Sequence, residues 1–413
     1  MIENAYINIC LYVLAIFSVA QSGSSREARQ RAFSVAVVGT IVSAICLLLH
    51  QADDWWAPFP LMVSVICLVA TGLSSLANTT RRSYAAMLLL SAISTSYLLL
   101  PTGWLLGVPW CTAMILVWFE VRQRSLKTAR VFAFYMGAST LLAFLGLAFS
   151  SRPEGLLCLA LALCIKEACF PFHSWFPSFV ESTPMGVVVT FVTPQVGVFL
   201  HLKFLAQQLP HSMHIEVATI GILTALFGAA LATVQSSLKR TLAYLFVSQS
   251  GLVAFGLESS SKVGQAGALA AWFVVGLGMA GFAMSIEALV ARRGSDPDLR
   301  QPGRDFESTP ALATSFMLSG LALVGLPGTL GFVSEDLLVQ GSVHEFPALG
   351  FFLIVVTALN AMTIMRSLFS VFAGPRCEVS EDLNGRERSA ITVVLGLLFL
   401  LGMMPELLLH WFG

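Results

Sequence analysis

The chain is made of apolar runs long enough to cross a bilayer, joined by short polar connections. The runs cover about 4–21, 31–50, 58–76, 83–100, 103–120, 129–149, 155–172, 184–206, 213–234, 241–257, 263–290, 309–341, 346–373 and 389–412. A span needs about 20 apolar residues. In lipid, each segment must satisfy its backbone polar groups internally, which confines such a chain to helices. The sequence therefore reads as an all-α polytopic membrane protein with about fourteen transmembrane helices. Composition agrees: of 413 residues, 56% are hydrophobic and 11% charged, against about 25% charged in soluble domains. Residues 1–413 read as a single transmembrane domain. The longest connections, "RRGSDPDLRQPGRDFES" and "GPRCEVSEDLNGRER", are too short for a soluble domain.

Basic residues orient the chain. Of the 23 Lys and Arg residues, all but five lie in loops after odd-numbered segments, including Arg304 and Arg376; near even-numbered loops stand Arg152, Lys203 and Lys262. The positive-inside rule places odd loops in the cytoplasm and both termini outward, as in a multi-pass protein of the cytoplasmic (inner) membrane. No basic residue precedes the first run, which argues against a cleaved signal peptide. A formal net charge of zero gives no sign of nucleic acid.

No cofactor is implied. The eight cysteines include Cys377, and none forms a CxxC pair of the kind iron–sulfur and zinc sites use. "GLGMAG" at 276–281 fits GxGxxG, but it lies in an apolar run and not after a strand. Small residues for close helix packing are the better account.

Two runs carry charges together with helix breakers. "CIKEACFPFHSW" at 164–175 holds Lys166, Glu167 and Pro171; "LALVGLPGTLGFVSEDLLVQG" at 321–341 holds Pro327, Gly328, Glu335 and Asp336. A charge inside a span costs several kcal/mol unless solvated or paired. Irregular backbone is tolerated there only where protein or a cavity covers it. The two runs are segments 7 and 12. Interrupted helices at corresponding positions of two halves suggest inverted repeats of a transporter. The expected layout has three N-terminal helices in 1–82, a first five-helix repeat in 83–206 and a second in 213–373. Segments 4–8 and 9–13 form the repeats, each with a broken helix, and one C-terminal helix follows in 389–413. The plain alternative is that these charges sit at helix ends, at an interface.

Those residues carry a resemblance. "IKEACFPFHSWFPSFVESTP" resembles the "PxHxWLPDAxxxxPTP"-like signature of the antiporter-like subunits of respiratory complex I and of multisubunit cation/proton antiporters. "TVQSSLKRTLAYLFVSQSG" at 233–251, "LALVGLPGTLGFVSEDLL" and "ALNAMTIMRSLFSVFAG" at 358–374 resemble further blocks, in family order, over roughly 125–374. The resemblance implies fourteen helices, inverted repeats and ion translocation along a polar axis. Carried over by position, Lys166 matches the lysine of the first broken helix and Glu335 the charged residue of the second. Asp336 matches an acidic neighbour, and Lys239 the lysine opening the tenth helix.

The chain also departs from the pattern. The family has a "WE" pair in its fifth helix; here Trp110–Cys111 falls at that place, and Glu120 comes two residues before Arg122. Glu120 is thus either the functional acid or a helix-end charge. A histidine after the first break is missing, with Thr190 and Gln195 offered instead, and the eleventh-helix His and Lys are absent.

The expected relay comprises Lys166, Glu335, Glu167, Asp336, Glu120 and Lys239, with Thr190, Gln195 and His173 as secondary polar groups. A lysine held out of water can exchange protons near neutral pH. Glu167, about 100° round the helix, is not an automatic partner. His173 is as readily a hydrogen-bonded structural residue, and Lys239 a topological charge. The reading is a membrane subunit that conducts protons, or couples cation and proton movement, within a larger complex. No redox site is evident in the chain, although it could serve a proton-pumping oxidoreductase. Its partners would be a redox module, antiporter subunits or a soluble carbonic-anhydrase-like subunit of an inorganic-carbon uptake system. A sodium/proton antiporter subunit and a transport-inactive membrane anchor are the alternatives.

Overall fold

Long apolar stretches capped by Ser, Thr and Asn fold into helices, as their lengths require. The computed structural model describes residues 2–49, 56–100, 103–206, 208–209, 211–300, 306–373 and 381–411. Arg304, Arg376, Cys377 and the end of the second apolar run at residue 50 lie outside the described residues. Among the described residues the chain is all-helical, with one isolated bridge between Ser237 and Asp298. Among the described residues, seven helices are long and apolar enough to cross a membrane, Lys262–Arg293 and Pro347–Phe372 among them.

Two compact units emerge. The first comprises Met1–Thr71 and Thr79–His214, the second Gly72–Asn78 and Ile215–Gly413.

The first unit begins with α1 (Ile2–Ala20), α2 (Ser25–Leu48), α3 (Phe59–Leu73) and α4 (Arg81–Ser96). Helix α2 buries small residues, Ala28, Ala32, Ala36, Gly39 and Ser43, and turns Ile41, Ile45 and Leu48 outward. That polarity is opposite to a soluble helix and suits lipid, where close packing of small residues replaces the hydrophobic drive. Buried hydroxyls join the helices: Asn8 donates to Ser43 at 2.9 Å, and Tyr12 to Ser64 at 3.0 Å. Then come α5 (Gly107–Arg122), α6 (Leu126–Ala148), α7 (Pro153–Lys166), α8 (Phe176–Ser182), α9 (Met185–Val192) and α10 (Val196–Leu200). Helix α6 packs between α5 and α7, and α9 against α4 and α5.

The second unit holds α11 (His211–Val234) from Ile215 onward, α12 (Leu238–Leu257), α13 (Lys262–Arg293), α14 (Pro310–Ala322), α15 (Leu330–Glu345), α16 (Pro347–Phe372), α17 (Gly385–Met403) and α18 (Glu406–Leu409). Its axis is α13, which packs on α12, α14, α15 and α17. Gly278 and Gly281 of the "GLGMAG" stretch lie against Leu323 and Ser319, as close helix packing requires. Helix ends are tied by side chains from distant parts of the chain. The Asp382 carboxylate accepts from the amides of Ala311 and Leu312 at 3.0 and 3.1 Å, capping α14. Arg366 of α16 donates to the carbonyls of Thr233, in the last turn of α11, and Gln235, just past it.

Candidate functional site

The first break is a helix terminus built inside an apolar segment. Helix α7 ends at Lys166, five residues ahead of Pro171, so the proline is not what stops it. Glu167 caps the helix and Ala168 turns left-handed, with φ 56°. The Cys169 amide then donates to Cys164 O at 2.8 Å and the Ala168 amide to Ile165 O at 3.3 Å. This is a Schellman closure, which usually has glycine where Ala168 stands. Trp175 Nε1 donates to Ile165 O at 3.1 Å, satisfying a second lone pair of a carbonyl freed by the break. Pro171 instead shapes the short 3₁₀ turn Phe172–Trp175 that carries His173 and Trp175. The His173 ring stacks on Phe170, with centroids 6.1 Å apart.

The Lys166 side chain is 5% exposed, and its Nζ makes no hydrogen bond to protein. Nζ lies 4.4 Å from the centre of the Phe191 ring, within cation–π range. It lies 3.8 Å from Oε1 of Glu167. A cavity of about 20 Å³ opens beside the lysine, lined also by Ser94, Tyr97, Trp110, Met114 and Thr190. That is room for about one water. Trp110 Nε1, also without a hydrogen bond, and Lys166 Nζ supply two donors on its walls.

A further interruption, not expected from the sequence, completes this site. The run at 184–206 is divided: α9 ends at Val192, Gln195 turns left-handed with φ 41°, and α10 starts at Val196. Its sequence signal is "TPQVG", a proline and a glycine inside an apolar run. The Glu167 carboxylate lies against the Gly197 amide at this second break. Thr190 is buried on α9 and returns its hydroxyl to Gly186 O at 2.9 Å.

Glu120 is elsewhere. It is buried at the end of α5 and accepts from Ser83 Oγ at 2.8 Å. The cavity takes Trp110 from α5 instead.

The second unit repeats the theme with different chemistry. Helix α14 ends at Ala322, and left-handed Gly325 and Gly328 flank Pro327 before α15 begins. The Leu326 amide donates to Leu321 O at 3.0 Å. Gln249 of α12 donates to Leu323 O at 3.0 Å, and Asn360 of α16 to Ser248 Oγ at 2.8 Å. Gln249 and Asn360 were not among the expected site residues; polar pairs inside the apolar "SQSG" and "LNAM" runs are their sequence signal. The Glu335 carboxylate is half-buried against Gly325 and accepts from Thr357 Oγ1 at 3.3 Å. Asp336, one residue on, is exposed and accepts from Gln340 at 2.7 Å, so it does not share Glu335's environment.

Lys239 lies half-buried in the first turn of α12, beside a latch. Asp296, in the connection after α13, accepts from Ser237 Oγ at 2.6 Å and from the Lys239 amide at 3.3 Å. Burial pushes the Asp296 carboxyl above its ordinary value, and Ser237 and Lys239 offset part of that. The Leu299 amide closes on Ser236 O at 2.7 Å. Among the described residues no cluster has the donors of a metal site.

Comparison with known proteins agrees with this architecture. The family model described as "NADH:quinone oxidoreductase/Mrp antiporter, TM" matches residues 81–361. The chain is 32% identical over 253 residues to NADH-quinone oxidoreductase subunit M of Mycobacterium tuberculosis, covering 59% of this chain and 46% of that protein. It is 32% identical over 255 residues to NADH-quinone oxidoreductase subunit 13 of Thermus thermophilus, covering 60% of this chain and 53% of that one. The chain thus spans about half the length of the curated relatives it matches. A chain of respiratory complex I from Thermus thermophilus superposes with a TM-score of 0.88 at 21% identity, covering 99% of this chain and 98% of that one. A chain of the Mrp complex from Dietzia sp. does so with a TM-score of 0.85 at 14% identity, covering 100% and 97%. These likenesses concern the fold.

Proposed function

The chain belongs to the NADH:quinone oxidoreductase/Mrp antiporter transmembrane family, and on that premise we propose that it is a proton-conducting membrane subunit of a larger complex. The observation that carries this reading is the setting of Lys166. A lysine 5% exposed sits at a helix break beside a cavity the size of about one water, with Phe191 and Glu167 around it. Holding an ammonium there is costly for a purely structural purpose. Its proton can pass to water in the cavity and be replaced from the other side.

In the second unit Glu335 holds the corresponding position at a break and would serve as the second proton-exchanging group. Asp336 and Lys239 would act at the edges of the path, since Asp336 is exposed and Lys239 lies at a helix start. Glu120 would act through Ser83 at the end of α5, away from the lysine. The proposed partners are neighbouring membrane subunits and the module that drives them.

The proposed topology has fourteen crossings of the cytoplasmic membrane, with inverted repeats over 83–206 and 213–373 and both termini outward. The side-chain ties support it. Leu299–Ser236 joins loops after odd segments, Asp382 of such a loop caps Ala311 at the start of the twelfth run, and Ser260–Glu345 joins loops after even ones. None of these joins an odd loop to an even one.

The test is proton uptake in membrane vesicles containing the whole complex. Lys166→Met fits an apolar span and should abolish uptake at near-parental abundance. Lys166→Arg should also fail, because arginine keeps its proton. Parental uptake in both variants would leave the lysine a structural residue and refute the proposal.

A further inference from the structure

We infer that Glu167 is the counter-charge of Lys166, seated by Gly197, and that it takes the place of an acid on α5. The inference rests on the proposed role of Lys166 and names the residue that positions its charge.

In a continuous helix, side chains of adjacent residues point about 100° apart. Here the two residues close the helix. Lys166 is the last helical residue, Glu167 is the cap, and Ala168 turns left-handed. The Glu167 side chain nevertheless reaches toward its neighbour, with Oε1 3.8 Å from Nζ. Both side chains are almost fully enclosed, at 5% and 11% exposure. Among the described residues, no other charged side chain pairs with Lys166 Nζ or the Glu167 carboxylate, which has only the Gly197 amide beside it. Removing one member of a buried pair leaves an uncompensated charge.

The seat comes from the break between α9 and α10. A Cβ at 197 would lie 2.7 Å from Glu167 Oε1 and 3.2 Å from its Cγ, so glycine alone leaves the carboxylate its place. On the α5 side, the cavity wall is Trp110, Ala113 and Met114, none of them acidic. The acid of that helix, Glu120, is engaged by Ser83. The charge that balances the lysine thus comes from the same broken segment.

Met114 is 5% exposed and lines the same cavity as Lys166. A glutamate there is close to methionine in size and would restore an acid from α5. Proton uptake by vesicles holding the complete complex provides the test. Glu167→Gln should lower uptake by at least roughly tenfold at parental abundance. Met114→Glu added to Glu167→Gln should recover a substantial part of it, which a merely structural role for Glu167 would not allow. Parental uptake in Glu167→Gln, with Lys166→Met inactive, would overturn the inference while the proton-conduction reading stands. Parental uptake in Lys166→Met would instead overturn that reading. Failure of Met114→Glu to restore any uptake would also overturn the inference. If the Glu167→Gln chain does not accumulate, Gly197→Ala carries the test. It keeps both charges but displaces the carboxylate, so uptake should fall, and parental uptake would refute the seat.

Discussion

Gln249 of α12 donates from Nε2 to the carbonyl of Leu323 at 3.0 Å, in the turn where α14 has just ended. A helix terminus leaves carbonyls without intrahelical partners, and in a bilayer no bulk water replaces them. Gln249 is itself buried, so the bond closes a carbonyl that would otherwise be stranded. Gln249→Leu should destabilise the protein by about 1–3 kcal/mol. Thermal unfolding in detergent would show it as a lower Tm. An unchanged Tm would mean that water or another donor reaches Leu323 instead.

How much of this could be read from the residues depends on what each signal reports. Helical state follows from apolar length, because lipid permits little else. The charges in 155–172 and 309–341 mark where breaks occur, since Lys166 and Glu335 need polar surroundings. Where each break begins is not legible. Pro171 is the conspicuous breaker, yet the helix stops at Lys166 through a left-handed Ala168, a residue with no such propensity. The break at Gln195 carries only Pro194 and Gly197 as clues. The contact between Glu167 and Gly197 joins residues thirty positions apart and depends on both breaks at once, so no local pattern announces it. Trp110 shows the reverse case: alignment by spacing places it at the tryptophan of the family's Trp–Glu pair, and it does line the lysine's cavity.

Glu335 tests the second unit. Its carboxylate accepts from Thr357 and packs on left-handed Gly325. Glu335→Gln keeps an oxygen for Thr357 and nearly the same volume, so the chain should insert and assemble. Coupled proton uptake should fall severalfold, because the amide cannot bind and release a proton. Glu335→Lys, which restores a titratable group, should retain part of the activity. Parental uptake in Glu335→Gln would reduce Glu335 to a helix-end charge.

Asp296 makes the latch at α12 sensitive to pH. Burial raises its carboxyl above the ordinary aspartate value, with Ser237 and Lys239 compensating only in part. The folded form therefore holds its proton more tightly than the unfolded form. That contribution is fully present below the ordinary value and is lost as pH rises through the raised one. Mild acid should slow hydrogen exchange at the Leu299 amide, which pairs with Ser236 O. Asp296→Asn should flatten this dependence in the same pH window. Protection that grows instead with rising pH would contradict the assignment.

Ala168 sets the geometry of the first break. With φ 56° it occupies the left-handed region, which costs an L-residue with a Cβ roughly 1–2 kcal/mol. Glycine would remove that cost but would lose more freedom on folding, a penalty of about 0.5–1 kcal/mol. Ala168→Gly should therefore leave the protein as stable or slightly more so, by about 0–1.5 kcal/mol. The Schellman bonds of Cys169 and the approach of Glu167 to Lys166 should persist, since glycine prefers the same turn. Ala168→Val should do the opposite, because a β-branched residue resists this region. It would unseat the cap, separate Glu167 from Lys166 and lower both Tm and proton uptake. Detergent Tm and vesicle uptake on the two variants would check this together. A Tm that rises with valine, or falls by several degrees with glycine, would show that the left-handed turn at 168 does not define the break.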